Sequence, residues 1–224
     1  MKIIKIALVL SMLVMSGCMT KYQGVFDHQE NRSNWCGCCL LQTQHGLFAT
    51  VYNNDSRQNS EIYLDWKKIY SGGQETIGQG LEYGGAVYFP AEGRGLIYEN
   101  GKIRETIDLR WSSVAIAYKG RPCFVSLQKP GIYVMDAVTG AKIVKLNMEA
   151  NTGVPLAAAQ IPNSEEYIIV FADNRGNEQL ITTDGNLIPL PNATAIVNWD
   201  GEIYAGAAGV IYKVDVNKKS VKKY

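Results

Sequence analysis

Histidine is almost absent from this sequence. Two occur in 224 residues, His28 in a polar stretch and His45 in an expected turn. A Ser-His-Asp or Cys-His site therefore has almost no base to draw on. No G-x-S-x-G, H-E-x-x-H or P-loop is present either. The run Gly78-Gln79-Gly80-Leu81-Glu82-Tyr83-Gly84 has the wrong spacing for a dinucleotide loop and reads as a glycine-rich strand bend. Asp173-Asn174-Arg175-Gly176-Asn177-Glu178 lacks the alternating ligands of a calcium loop and reads as a hairpin turn. No cofactor and no metal ion are expected.

Charge of one sign is missing too. Lys and Arg number 22 against 21 Asp and Glu, which is no footprint for nucleic acid, since displacing counterions from phosphates needs a basic surface. The one basic concentration, Lys218, Lys219, Lys222 and Lys223, falls along an expected final edge strand. There lysine protects against strand addition, and that reading is preferred to a polyanion site. Long apolar runs are also lacking. The run from Ile6 to Val14 is far short of the roughly 20 residues a spanning helix needs.

That short run has another use. Preceded by Lys2 and Lys5 and followed by Val14-Met15-Ser16-Gly17-Cys18, it has the charged start, apolar middle and small-residue end of a secretory signal. The small-small-Cys ending resembles the lipobox of bacterial lipoproteins, with Met15 where leucine is usual. The resemblance implies removal of residues 1–17, lipidation of Cys18 with palmitate-type chains, and a membrane anchor. Met19 and Thr20 follow in place of the aspartate that favours the inner membrane, so the implied address is the outer membrane, at the periplasmic leaflet or the surface. A plain secretory signal is the alternative. Residues 18–35 are polar and irregular and read as a tether, about 55 Å long if stretched and about 25 Å as a coil.

From residue 36 to 224 no helical period stands out. Short runs rich in Val, Ile and Tyr alternate with Gly, Asn-Gly, Asp-Gly and Pro breaks, so the domain is all-β. The pairs Ile62-Tyr63, Ile97-Tyr98, Ile132-Tyr133, Leu180-Ile181 and Ile211-Tyr212 recur about every 37 residues, close to one four-stranded propeller blade. Four strands fit each of five repeats, the first from Leu40 to Tyr70, and these use the domain without remainder. A small five-bladed β-propeller is expected, with another blade count or a β-sandwich as the alternative. Tyr63, Tyr98, Tyr133 and Tyr212, at repeat positions, are expected in the core.

The third repeat carries a motif: Gly131-Ile132-Tyr133-Val134-Met135-Asp136, then Thr139-Gly140-Ala141-Lys142. It resembles the repeat of quinoprotein-type (PQQ-like) propellers, and Gly209 to Asp215 and Gly95 to Lys102 are weaker copies. The tryptophan usual after the Thr-Gly-Lys turn is replaced by Ile143 and Val144, and nothing supports a bound quinone. The family includes lipoprotein propellers that assist outer-membrane protein assembly, which suits the lipobox.

With Cys18 lipidated, Cys36, Cys38, Cys39 and Cys123 remain, and an oxidising compartment favours disulfides. Neighbours Cys38 and Cys39 would form a strained ring. The practical pairings are Cys36–Cys39 with Cys38–Cys123, or Cys36–Cys38 with Cys39–Cys123. Cys123 as a small buried hydrophobe is the competing reading. A zinc site of the cluster with His28 or His45, and a thioredoxin-like role, are both weaker.

What remains is surface. Trp66, Trp111 and Trp199 fall at expected turns or strand ends, where an aromatic anchors a protein partner or stacks on a sugar. The expectation is a non-enzymatic envelope lipoprotein, a propeller held at the membrane and binding protein partners through one face. A glycan-binding lectin is the alternative, although its loops would be alike and these differ in length and type. A glycosidase ranks third, because the sequence selects no carboxylate pair.

Overall fold

A computed structural model of the protein describes residues 35–53, 60–73, 76–128, 131–146, 154–172 and 178–224. Among them every regular element is a β-strand. The twenty strands form five four-stranded antiparallel sheets, each in sequence order. Blade one is β1 (Trp35–Thr43), β2 (Gly46–Asn53), β3 (Ser60–Leu64) and β4 (Lys67–Ser71). Blade two is β5 (Leu81–Tyr83), β6 (Ala86–Ala91), β7 (Arg94–Glu99) and β8 (Lys102–Asp108). Blade three is β9 (Trp111–Tyr118), β10 (Arg121–Gln128), β11 (Gly131–Asp136) and β12 (Lys142–Lys145). Blade four is β13 (Val154–Gln160), β14 (Tyr167–Ala172), β15 (Glu178–Thr182) and β16 (Leu187–Pro189). Blade five is β17 (Ala193–Trp199), β18 (Glu202–Ala207), β19 (Val210–Asp215) and β20 (Ser220–Lys223). The chain is a five-bladed β-propeller.

Burial explains why the strands differ in composition. A blade is covered on both faces by its neighbours, so its middle strands read as continuous apolar runs: β6, Ala-Val-Tyr-Phe-Pro-Ala, is buried at every residue. Outer strands carry the opposite chemistry. β4, β8, β12 and β20 are largely exposed and rich in Lys and Arg, so the lysine protection expected of the last edge alone recurs in four blades. β16 substitutes Pro189, which offers no N–H to an incoming strand.

The core lies between blades. Phe48 and Ile62 pack on Phe89 and Leu96 from blade one to two. Ile97 and Leu109 meet Phe124 and Met135, Val125 and Ile132 meet Ile169 and Phe171, and Val170 and Leu180 meet Ile203 and Ala205. Each such fully buried side chain contributes about 1.5–3 kcal/mol. The inner strands are tied by polar contacts as well. Gln79 forms a parallel bridge with Val114, and its C=O accepts from the Ala115 N–H at 3.0 Å. The glycine-rich bend around it is thus an irregular lead-in to blade two.

Two expectations are revised. Tyr63 and Tyr98 are buried, but Tyr133 and Tyr212 are only half-buried, flanking the clusters between blades. Blade one also begins earlier than expected. Cys36 and Cys39 of β1 pair with Tyr52 and Thr50 of β2, with a bulge between Gly37 and Cys39, so the cysteine cluster lies within a strand.

Candidate functional site

In each blade the chain goes out and back twice. The turns joining first to second and third to fourth strands therefore emerge at one end, here the turn face. Cross-blade hydrogen bonds knit this face. His45 Nε2 meets the Gly85 C=O at 2.9 Å, and Tyr83 donates its hydroxyl to the Gly120 C=O. The Ala117 N–H reaches Tyr167 Oη at 3.3 Å, and Asn198 Nδ2 donates to the Gln160 C=O at 2.9 Å. Blades one to five are linked in series, giving a rigid platform.

Trp66 stands on this face, and its backbone is unusual. Six two-residue turns among the described residues have positive φ at both central positions, the pattern that suits tight hairpins. In five the second residue is glycine: Gly85, Gly101, Gly120, Gly201 and Gly209. In the sixth it is Trp66, at φ 68°. A bulky side chain there is strained, and Trp66 is nonetheless 54% exposed. Asp65 secures the turn by accepting from the Leu47 N–H at 2.9 Å through Oδ1. Trp199, the last residue of β17, reaches the same face and lies 5.9 Å from the Tyr204 ring. Val138, 52% exposed, belongs to the third blade's outer turn there. Trp111 opens β9 and so belongs to the opposite end; its side chain lies outside the described residues.

The polar clusters stabilise their own blades. Asp136 Oδ1 accepts from the N–H groups of Val138 (3.0 Å) and Thr139 (2.8 Å), and Arg121 lies 3.5 Å from Oδ2. Burial pushes the Asp136 carboxyl up, but these donors and the Arg121 charge outweigh it and hold it below the usual range. The aspartate of the repeat motif is thus the pin of a tight turn. Asp215 repeats the role, accepting from the Lys218 N–H at 3.0 Å. Buried Glu61 accepts from Tyr63 Oη and from Lys68 Nζ at 3.0 Å. Glu202 holds Tyr204 and Lys213 in the same way. Burial, then the bond to Glu202, pushes the Tyr204 hydroxyl up to about 12. No group of three metal-ligating side chains occurs among the described residues, and His45 is turned toward Gly85 and the Tyr98 ring.

The cysteine expectations divide. Cys123 carries a free thiol, fully buried between blades three and four with Val125, Ile132 and Ile169. Both pairings that drew it into a bridge are therefore corrected. It faces an apolar seam two blades away from β1, so it is the small hydrophobe of the competing reading. The side chains of Cys36, Cys38 and Cys39 lie outside the described residues, as do Cys18 with all of residues 1–34 and the turn 173–177.

These features define a class, the β-propeller with a rigid turn face. No protein-family model matches the sequence, and no curated protein matches it. Solved structures do. A propeller of the nidogen/laminin complex is similar with a TM-score of 0.55 and 10% identity over 82% of this chain and 76% of that one. BBS1N in complex with ARL6DN gives 0.51 and 15%, over 83% and 64%. The extracellular domain of BT4673 from B. thetaiotaomicron gives 0.57 and 12%, over 92% of this chain but 29% of that one. At such identities the likeness is one of fold.

Proposed function

We propose that the protein is a lipid-anchored β-propeller of the bacterial envelope that binds a protein partner through its turn face, without a catalytic step of its own. One observation carries the binding face: Trp66 occupies a turn position that five other hairpins give to glycine, and it is about half exposed there. Backbone strain of this kind costs about 1–3 kcal/mol and persists where a site uses it. Tryptophan is among the residue types enriched in binding hot spots. Two structural neighbours come from protein complexes, nidogen with laminin and BBS1N with ARL6DN, which accords with a binding role.

The anchor rests on the lipobox-like Val14 to Cys18. Three acyl chains would make attachment permanent, since each buried methylene contributes about 0.8 kcal/mol. The outer membrane is the proposed address and assembly of envelope complexes the proposed setting. Fractionation tests the anchor. Cys18→Ala is expected to move the protein from membranes to the soluble periplasm, and a variant that stays in membranes contradicts it. Trp66→Gly tests the face: partner binding falls while the fold is kept.

A further inference from the structure

Four of the outer strands are basic, and in three of them the charge is modest. β4 and β12 carry two lysines each, and β8 sets Glu105 and Asp108 beside Lys102 and Arg104. Blade five is different. Lys213, Lys218, Lys219, Lys222 and Lys223 crowd β19, β20 and the turn between them, and all are exposed. Glu202 holds Lys213, and Asp215 holds Lys218. Among the described residues Lys219, Lys222 and Lys223 have no carboxylate partner.

The fold opposes this crowding in two places. Lys222 lies directly opposite Lys213 across β19 and β20, a like-charge pairing that destabilises a sheet. Lys219, at φ 51°, holds the left-handed position that the matching turn of blade three gives to Gly140. The two turns match because an aspartate in each, Asp215 or Asp136, accepts from the N–H three residues on. A lysine at that position is strained. Guarding an edge against strand addition needs neither arrangement, since β4 and β12 have two lysines apiece.

We propose that this edge docks on an anionic lipid bilayer, with Lys219, Lys222 and Lys223 among the headgroup phosphates. Two observations select a bilayer over a protein partner. Every cation here is lysine, and blade five has no arginine. Protein interfaces are enriched in arginine and depleted of lysine, whereas a compact ammonium on a flexible stem suits a fluid field of headgroups. Tyr224, two residues on from Lys222 and so on the same side, is 63% exposed, and its ring with a polar tip suits a membrane interface. The choice of a bilayer also rests on the lipid anchor proposed above, which would keep a membrane within reach. Because the lysines line the rim and Trp66 stands on the turn face, bilayer and partner can be bound together.

The test uses the full chain carrying Cys18→Ala, so no acyl chain contributes, and the anchor stands or falls separately by fractionation. Partition onto vesicles of equal parts phosphatidylglycerol and phosphatidylcholine is expected to be at least about tenfold stronger than onto phosphatidylcholine alone. It should weaken as salt rises past about 0.15 M. Lys222→Glu with Lys223→Glu should lower it to the phosphatidylcholine level, and the gentler Lys222→Gln with Lys223→Gln should fall between. Lys67→Glu with Lys145→Glu, on the rims of blades one and three, should change it by less than about twofold. Equal partition of the unaltered lysine edge onto both vesicle types overturns the proposal. So does an equal loss from the rim substitutions in blades one and three, or full displacement from the vesicles by an equal charge of soluble polyglutamate.

Discussion

The side-chain amide of Gln79 pairs with the backbone of Ala158, 79 residues away. Its Oε1 accepts from the Ala158 N–H at 3.1 Å and its Nε2 donates to the Ala158 C=O at 3.4 Å. Because the Gln79 backbone also holds Ala115, one residue joins blades two, three and four. Gln79→Ala leaves both Ala158 groups without this partner. A loss of about 1–3 kcal/mol in urea-unfolding stability is expected.

Close packing between blades gives a second prediction. A Cβ on Gly95 would lie 2.6 Å from both a Phe124 ring carbon and Thr106 Oγ1, whereas one on Gly73 would meet nothing within 4 Å. Gly95→Ala is expected to cost about 1–3 kcal/mol through forced repacking. Gly73→Ala should stay within about 0.5 kcal/mol of the wild type.

Titration gives a third. Burial pushes the Cys123 thiol up to about 12, and Asp136 adds to the shift. A thiol whose folded value is raised contributes stability that is complete below its unfolded value near 9 and is lost as pH rises toward 12. Asp136, Asp184 and Asp215 are lowered, so their contribution is present above the ordinary carboxylate range and disappears as pH falls below it. Urea midpoints across pH should fall on both sides of neutrality, and Cys123→Ala should flatten the alkaline limb. The native thiol should resist alkylation at pH 8 and react fully once unfolded.

Trp66 gives a fourth. Trp66→Gly replaces a strained residue by the one that the other turns use. Relief of the turn is expected to keep or raise stability, by up to about 1 kcal/mol. A binding loss in a variant at least as stable as the wild type cannot be ascribed to unfolding.

Much of this fold was legible because turn chemistry is local. Asn100-Gly101, Lys119-Gly120 and Asp200-Gly201 mark hairpins by residue type alone, and Ile97-Tyr98 marks the strand before the first of them. Blade one was harder to read. Its strands lack such punctuation, and Cys36-Gly37-Cys38-Cys39 resembles a disulfide knot more than the bulged strand it forms. The Gln79 to Ala158 bond was invisible, since it depends on how three blades pack. The Trp66 signal was present but easily missed. Asp65-Trp66 lies between Glu61-Ile62-Tyr63-Leu64 and Lys67-Lys68-Ile69-Tyr70, in the register where Glu99 to Lys102 carries Asn-Gly. A tryptophan in a glycine's place is recognised only when the turns are aligned by structure.

The most direct test of the binding role is capture from the native envelope with the lipidated protein and its Trp66→Gly variant side by side. The account predicts that a defined protein partner is enriched by the wild type and lost with the variant, while both remain folded and membrane-bound. Equal capture of the same protein by both, or enrichment of glycans with no protein, would contradict it.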